Sequence, residues 1–140
     1  MAGISAAIQA SRMGKRVALL AFGRHIGGMT TGGLGATDVG HELAIGGISR
    51  EFYQHVGKHY GKPLAWRFEP HVAETIFNRM LKDAGVEVYL QQRLTHVDMH
   101  ADRIKQVRTD CGDVYAAEMF IDASYEGDLM AKAGVSYTVG

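Results

Sequence analysis

Glycine is concentrated between Gly23 and Gly47, where nine of the eighteen glycines lie. The densest part, Gly23 to Gly35, carries Ile26, Met29 and Leu34 between its glycines. Each glycine costs conformational entropy on ordering, so the chain uses many of them only where the backbone takes positive φ or lies directly against a ligand. A flexible linker would be richer in Ser and would lack these apolar residues. We therefore predict a ligand-contacting loop, with a phosphate-bearing cofactor as its expected ligand.

Two other groups of residues have types that could support chemistry. His55 and His59 lie four positions apart on a predicted helix, a spacing that places two imidazoles on one face for a metal. No Glu follows His55 as H-E-x-x-H requires, and no third ligand is evident, so we interpret both as solvated helix histidines and predict no metal site. Cys111 lies in a Thr-Asp-Cys-Gly-Asp turn, where nearby carboxylates disfavour a reactive thiolate, so we do not predict a nucleophile.

Composition favours a single globular domain. The chain has 140 residues, of which 46% are hydrophobic and 21% charged, the ordinary range for a globular protein. Fifteen basic and fifteen acidic side chains leave no net charge, which gives no electrostatic reason to expect binding to nucleic acid or to an anionic membrane. A single cysteine fits a reducing compartment, and residues 1–16 do not have the order of a signal peptide, so a cytoplasmic location is favoured for the chain as given.

The elements that would position the glycine loop begin at residue 2. Residues 2–14 predict a helix rich in small residues, and residues 15–21 predict a short apolar strand of the type buried on both faces in a parallel sheet. Gly3, Ala7 and Gly14 would let this helix lie tightly on the strand. Their spacing is that of the downstream half of a dinucleotide-binding fingerprint.

The upstream half of that fingerprint needs a strand and two glycines before Gly3, where the sequence has only Met1 and Ala2. In a doubly wound sheet the corresponding strand is central, and the strand at 15–21 would pair with it. We therefore predict an incomplete Rossmann-like parallel sheet that lacks its first strand.

The rest of the sequence predicts two helices, a strand, a three-stranded antiparallel meander, a second buried strand and a short helix. Their ranges are 49–59 and 71–84 for the helices, 86–90 for the strand, 94–99, 103–109 and 113–116 for the meander, 119–123 for the buried strand and 127–133 for the last helix. The predicted fold class is therefore α/β.

Three stretches resemble a known family: residues 2–8 (Ala-Gly-Ile-Ser-Ala-Ala-Ile), residues 23–33 (Gly-Arg-His-Ile-Gly-Gly-Met-Thr-Thr-Gly-Gly) and residues 121–129 (Ile-Asp-Ala-Ser-Tyr-Glu-Gly-Asp-Leu). Together they resemble bacterial FAD-dependent oxidoreductases of the FAD-oxidoreductase family. The element order is similar to that of the FAD-binding domain of glutathione-reductase-like flavoproteins. The resemblance runs over essentially the whole chain. It implies that residues 1–140 are a partial FAD-binding domain, truncated at both ends, with its meander at about 94–116.

The resemblance implies that FAD lies against the loops at the strand ends. Gly3 would let the helix start approach the pyrophosphate, whose charge a helix N-terminus favours. The other implied contacts are Arg24, Gly27, Gly28, Met29 and Thr30 on the adenosine and flavin side, Leu94 at the adenine edge, and Ala123 with Ser124 near the pyrophosphate. Such flavoproteins have an acidic residue six positions before the paired glycines, where this sequence has Ala21. We therefore expect the isolated chain to bind FAD weakly or not at all.

Two groups keep alternative interpretations. Asp122, Glu126 and Asp128 could form a carboxylate cluster, although the resemblance implies that they punctuate a strand-to-helix turn, in which Asp128 would favour the helix start. Residues 66–69 (Trp-Arg-Phe-Glu) could contact a substrate or pack against the helix predicted at 71–84, and we favour packing.

Three functions follow from these observations. The first is the cofactor-binding portion of an FAD-dependent oxidoreductase, inactive alone, whose flavin carries the redox step on a small-molecule substrate. The second is a cofactor-free, inactive fragment stabilised by a partner chain or as a homodimer. The third is an NAD-type module, which the missing early glycines and acidic ribose partner make the weakest. The sequence assigns no catalytic residue.

Overall fold

The computed structural model describes residues 1–138 and contains both predicted kinds of sheet. In chain order its elements are α1 (Ala2–Arg12), β1 (Ala18–Leu20), α2 (Met29–Gly32), α3 (Gly47–His59), α4 (Pro70–Asp83), β2 (Glu87–Tyr89), β3 (Leu94–His100), β4 (Arg103–Thr109), β5 (Val114–Ala116) and α5 (Asp128–Lys132). Within this range, no helix combines the length and the apolar character needed to cross a membrane.

The main core lies between α1, α3 and α4, because each of these helices has an apolar stripe. In α1 the stripe is Ile4, Ala7 and Ile8, at the spacing of one helix face. Phe52 of α3 and Phe77 of α4 are fully buried and stack with their ring centroids 4.2 Å apart. The three predicted helices are therefore confirmed.

Strands β1 and β2 form a parallel pair, with Leu19 opposite Val88. This confirms the predicted strands, but the prediction that β1 is buried on both faces is wrong. Ala18 is exposed, and Leu19 and Leu20 are only half-buried. The reason is that, within residues 1–138, β2 is the only strand hydrogen-bonded to β1, so the other edge of β1 is uncovered.

Strands β3, β4 and β5 form the predicted antiparallel meander as a separate three-stranded sheet. Its inner face carries Val97 and Val107, which lie opposite each other and are buried. Gly112, with φ +90°, allows the tight turn between β4 and β5. The predicted short helix is present as α5, which lies against β3.

The second buried strand, predicted at 119–123, is wrong. This segment pairs with no strand in the described part of the chain, and Met119 and Ile121 are 81% and 67% exposed. An apolar alternation becomes a strand only where a neighbouring backbone completes its hydrogen bonds. Here none of residues 1–138 provides that neighbour, so the apolar side chains stay on the surface.

Candidate functional site

A tight turn at Gly27 and Gly28 connects the loop after β1 to α2. Both residues have positive φ, +102° and +60°. A Cβ atom on Gly27 would lie 2.5 Å from the Thr31 methyl carbon, and one on Gly28 would lie 2.9 Å from the Tyr125 hydroxyl. The conformation of the chain itself therefore requires glycine at both positions. From the sequence alone, this requirement could not be distinguished from contact with a ligand.

The loop ahead of this turn is anchored to α4 by Glu74. Both carboxylate oxygens of Glu74 lie 3.0 Å from His25 Nδ1, and one of them accepts the Ile26 backbone N–H at 3.4 Å. From the other side of the turn, the Thr31 hydroxyl donates to the Ile26 carbonyl. The role of Glu74 is not recognisable from the sequence, because no local pattern links it to a loop so distant in sequence.

The start of α1 lies directly against the segment that precedes α5. A Cβ atom on Gly3 would be 3.2 Å from the Ala123 Cβ and 3.7 Å from a Leu19 methyl. These two predicted site residues, Gly3 and Ala123, are therefore brought together. No side chain of residues 1–138 caps α1, and its first turn contains no acidic residue.

Asp122 organises the loop formed by residues 122–127, which we call the 122–127 loop. One carboxylate oxygen accepts the backbone N–H of Ser124 at 3.0 Å and its hydroxyl at 2.7 Å, while the other accepts two first-turn N–H groups of α5, those of Leu129 and Met130, at 3.1 Å each. Burial acts to raise the pKa of Asp122, but these hydrogen bonds outweigh it and hold that pKa below its ordinary value. Of the two interpretations, these contacts therefore favour a turn that leads into the helix, although within residues 1–138 no strand directly precedes it.

Ser124 takes part in this loop rather than facing a ligand with a free hydroxyl. Its hydroxyl donates to Asp122 and also accepts the backbone N–H of Gly127 at 3.0 Å. Gly127 has φ +67° and directly precedes α5. The hydroxyl of Ser124, a residue that the resemblance places near the pyrophosphate, thus fixes the loop conformation.

Tyr125 joins the 122–127 loop to the glycine turn. Its hydroxyl accepts the Met29 backbone N–H at 3.5 Å, although its side chain is 72% exposed. The same short loop therefore contacts the start of α1 through Ala123 and the start of α2 through Tyr125. The sequence analysis gave Tyr125 no role. The available signal was an aromatic residue placed among acidic and glycine turn residues.

The remaining predicted contacts lie on the glycine loop and on β3. Met29 is 56% exposed, Arg24 is exposed and Thr30 is half-buried. Leu94 begins β3 and pairs with Thr109, so it belongs to the meander sheet. The link between that sheet and the end of β1 is the backbone N–H of Gln92, which donates to the Ala21 carbonyl at 2.9 Å.

Of residues 66–69, Trp66 and Phe68 pack against aromatic rings, but these rings are on α3 and not on the helix predicted at 71–84. The rings of Trp66 and Tyr53 lie 4.4 Å apart, and those of Phe68 and Phe52 lie 5.7 Å apart. The packing interpretation is therefore confirmed for the two aromatic residues, while Arg67 is exposed.

The histidine and cysteine candidates lie outside the junction. His55 Nε2 is 3.9 Å from a carboxylate oxygen of Glu51. The exposed Cys111 Sγ lies 3.1 Å from the Thr109 hydroxyl and 3.4 Å from an Asp113 carboxylate oxygen. Among residues 1–138, no three His, Cys, Asp or Glu side chains come together as a candidate metal site.

A family model described as FAD dependent oxidoreductase matches residues 1–140, the whole length of the chain. The chain therefore belongs to the FAD-dependent oxidoreductase family, which confirms the resemblance inferred from the three sequence stretches. The family's cofactor is FAD, and its members are flavoprotein oxidoreductases. A comparison with curated proteins found no significant match.

Proposed function

We propose that this chain is the cofactor-binding portion of an FAD-dependent oxidoreductase, which acts on a small-molecule substrate. The observation that carries the proposal is the junction at the 122–127 loop, where Ala123 lies against Gly3 and Tyr125 lies against Gly28. One short loop thus contacts both a residue implied for the pyrophosphate and residues implied for the flavin side. When bound, the flavin supplies the redox chemistry, and the protein supplies binding and orientation.

The donors at this junction suit a pyrophosphate. The first turn of α1 offers backbone N–H groups, has no acidic residue and is not capped by any side chain of the described residues. Such a helix start attracts anions through its N–H groups and its dipole. Gly3 keeps this turn free of a Cβ atom, which would otherwise crowd Ala123.

The glycine turn suits the flavin side. Gly32 and Gly33 have no atom within 4 Å of where a Cβ would lie, so the backbone there is open to a ligand. Met29 presents an exposed apolar side chain beside them. Planar apolar ligands bind against surfaces of this kind, which combine a few polar groups with apolar side chains.

Ala21, which directly follows β1, cannot accept hydrogen bonds from the ribose of FAD through its side chain. Ala21 has no side-chain oxygen, and its carbonyl already accepts the Gln92 N–H. A carboxylate that accepts hydrogen bonds from ribose contributes about 1.5–3 kcal/mol. We therefore propose that this chain holds FAD weakly and that the rest of the junction sets its affinity.

The test is an FAD titration of the purified full chain and its Ala21→Glu variant, followed by visible absorption after excess FAD is removed. We expect weak binding by the unaltered chain and roughly 10- to 100-fold tighter binding by the variant. Ala18→Glu is the matched control, because Ala18 is an exposed alanine on the same strand. It should leave the affinity unchanged.

Absence of FAD binding in both the unaltered chain and Ala21→Glu would refute the proposal. A colourless protein with a mass near twice that of the chain would instead favour the self-associated fragment. The free edge of β1 and the exposed Met119 and Ile121 offer such a dimer an apolar surface. Adding a strand with two glycines ahead of Gly3 should raise the FAD affinity further, since the free edge could then be paired.

A further inference from the structure

The loop that carries Tyr125 contacts both parts of the proposed cofactor site. The preceding residues of its loop reach the start of α1 through the contact of Ala123 with Gly3, and its own hydroxyl reaches the start of α2 at Met29. A ligand that contacts both helix starts would therefore lie beside this loop and near the exposed ring of Tyr125.

The backbone around Tyr125 is fixed, whereas its ring is free on one side. Asp122 accepts four hydrogen bonds that hold the loop, and the Ser124 hydroxyl accepts the Gly127 N–H. Yet the Tyr125 side chain is 72% exposed. A large aromatic surface whose backbone is held in place and whose ring is not packed is an available contact for a ligand.

The hydroxyl contact positions the ring without contributing much binding energy of its own. At 3.5 Å the hydrogen bond from Met29 N–H is at the long limit for such a bond. The close approach depends on Gly28, since a Cβ there would lie 2.9 Å from the hydroxyl oxygen. The glycine turn and the tyrosine thus fit each other, and the ring remains the larger contact surface.

We propose that Tyr125 is a cofactor-contacting residue whose ring forms a wall of the FAD site between the starts of α1 and α2. This inference rests on the proposed function. It assigns the ring to ligand contact and the hydroxyl to holding the ring in place, and these two roles can be separated by substitution.

The experiment compares Tyr125→Phe, Tyr125→Leu and Tyr137→Leu in the full chain carrying Ala21→Glu, with FAD as the probe. Tyr137 is the matched control because it is also an exposed tyrosine, 60% accessible. Two quantities are measured: the FAD dissociation constant and the fluorescence yield of bound flavin. A nearby phenol quenches flavin fluorescence by electron transfer, whereas a phenyl ring or an aliphatic side chain does not.

We expect Tyr125→Leu to weaken FAD binding by roughly 2- to 10-fold, the loss typical of an aromatic contact. Tyr125→Phe should keep the affinity within about 2-fold, because the ring is retained. Both changes should brighten the bound flavin, and Tyr137→Leu should alter neither quantity. Urea unfolding of each variant establishes that all are folded.

Equal loss of affinity in the Phe and Leu variants would overturn the inference, because the hydroxyl contact to Met29 would then carry the effect. Unchanged affinity and unchanged fluorescence in the Leu variant would also overturn the inference. Because FAD would still bind in that case, the proposed function would not be refuted. Absence of FAD binding in every variant would overturn both proposals together.

Discussion

The turn at Gly28 provides a direct test of how the glycine loop is specified. Gly28 has φ +60° and ψ −132°, a backbone conformation that is essentially restricted to glycine. Forcing an alanine into such a conformation costs about 1–3 kcal/mol. The added Cβ also meets the Tyr125 hydroxyl, but that hydroxyl ends an exposed side chain and can swing away, losing only one long hydrogen bond.

We therefore expect Gly28→Ala to lower the free energy of unfolding by about 1–3 kcal/mol. Gly32→Ala is the matched control: it lies in the same short helix, and its Cβ would meet no atom within 4 Å. Alanine in a helix is more stable than glycine by roughly 0.5–1 kcal/mol, so the control should be neutral or stabilised. Urea unfolding followed by Trp66 fluorescence reports both, because Trp66 packs on Tyr53 at the core.

A double variant separates backbone strain from the side-chain contact. If the backbone carries the loss, adding Tyr125→Ala to Gly28→Ala should recover no more than about 0.5 kcal/mol. Full recovery in the double variant, or equal midpoints for Gly28→Ala and Gly32→Ala, would refute the reasoning from backbone conformation.

Two other predictions concern carboxylates. Asp122→Asn should speed hydrogen exchange of the first-turn amides of α5, with a local loss of about 0.5–2 kcal/mol, and Glu126→Gln should not. Because the pKa of Asp122 is lowered on folding, its contribution is complete above the ordinary value of 3.8 and disappears as the pH falls through the lowered value, so the two proteins should converge in acid. Arg12 donates two hydrogen bonds of 2.7 Å to Glu51, which join α1 to α3 at the surface. We expect Arg12→Met to lower the free energy of unfolding by about 0.2–1 kcal/mol. A double-mutant cycle with Glu51→Gln, measured by urea unfolding, should give a coupling free energy that decreases as salt is added. This hydrogen bonding lowers the pKa of Glu51, so the coupling should also fall as the pH drops below 4.5; a coupling that persists at low pH would contradict the ion-pair interpretation.

Elements with a strong local pattern were predictable from the sequence. Helix α4 has apolar residues at helical spacing and ends before Gly85, and the meander has alternating segments separated by turn residues. In each case the information lies within about fifteen neighbouring residues. Helices α3 and α4 and the strands of the meander therefore lie within a few residues of their predicted bounds.

Features that depend on distant partners were not predictable in the same way. The segment 119–123 has a strand-like pattern, but its state is decided by whether another backbone lies beside it. Glu74 and Tyr125 acquire their roles only when the fold brings them to the glycine turn. Gly3 and Ala123, which the family resemblance places near the pyrophosphate, lie against each other, a contact that the residue pattern alone does not predict.

The contact between Met29 and Tyr125 also constrains when the site can form during synthesis. The two residues are 96 positions apart in sequence. At about 5–20 residues added per second, Tyr125 follows Met29 off the ribosome by roughly 5–20 s. During that interval the N–H of Met29 and the start of α1 face solvent, where a chaperone or a dinucleotide could reach them. The order of translation thus gives the early helices a period in which to fold before the 122–127 loop can contact their N-termini.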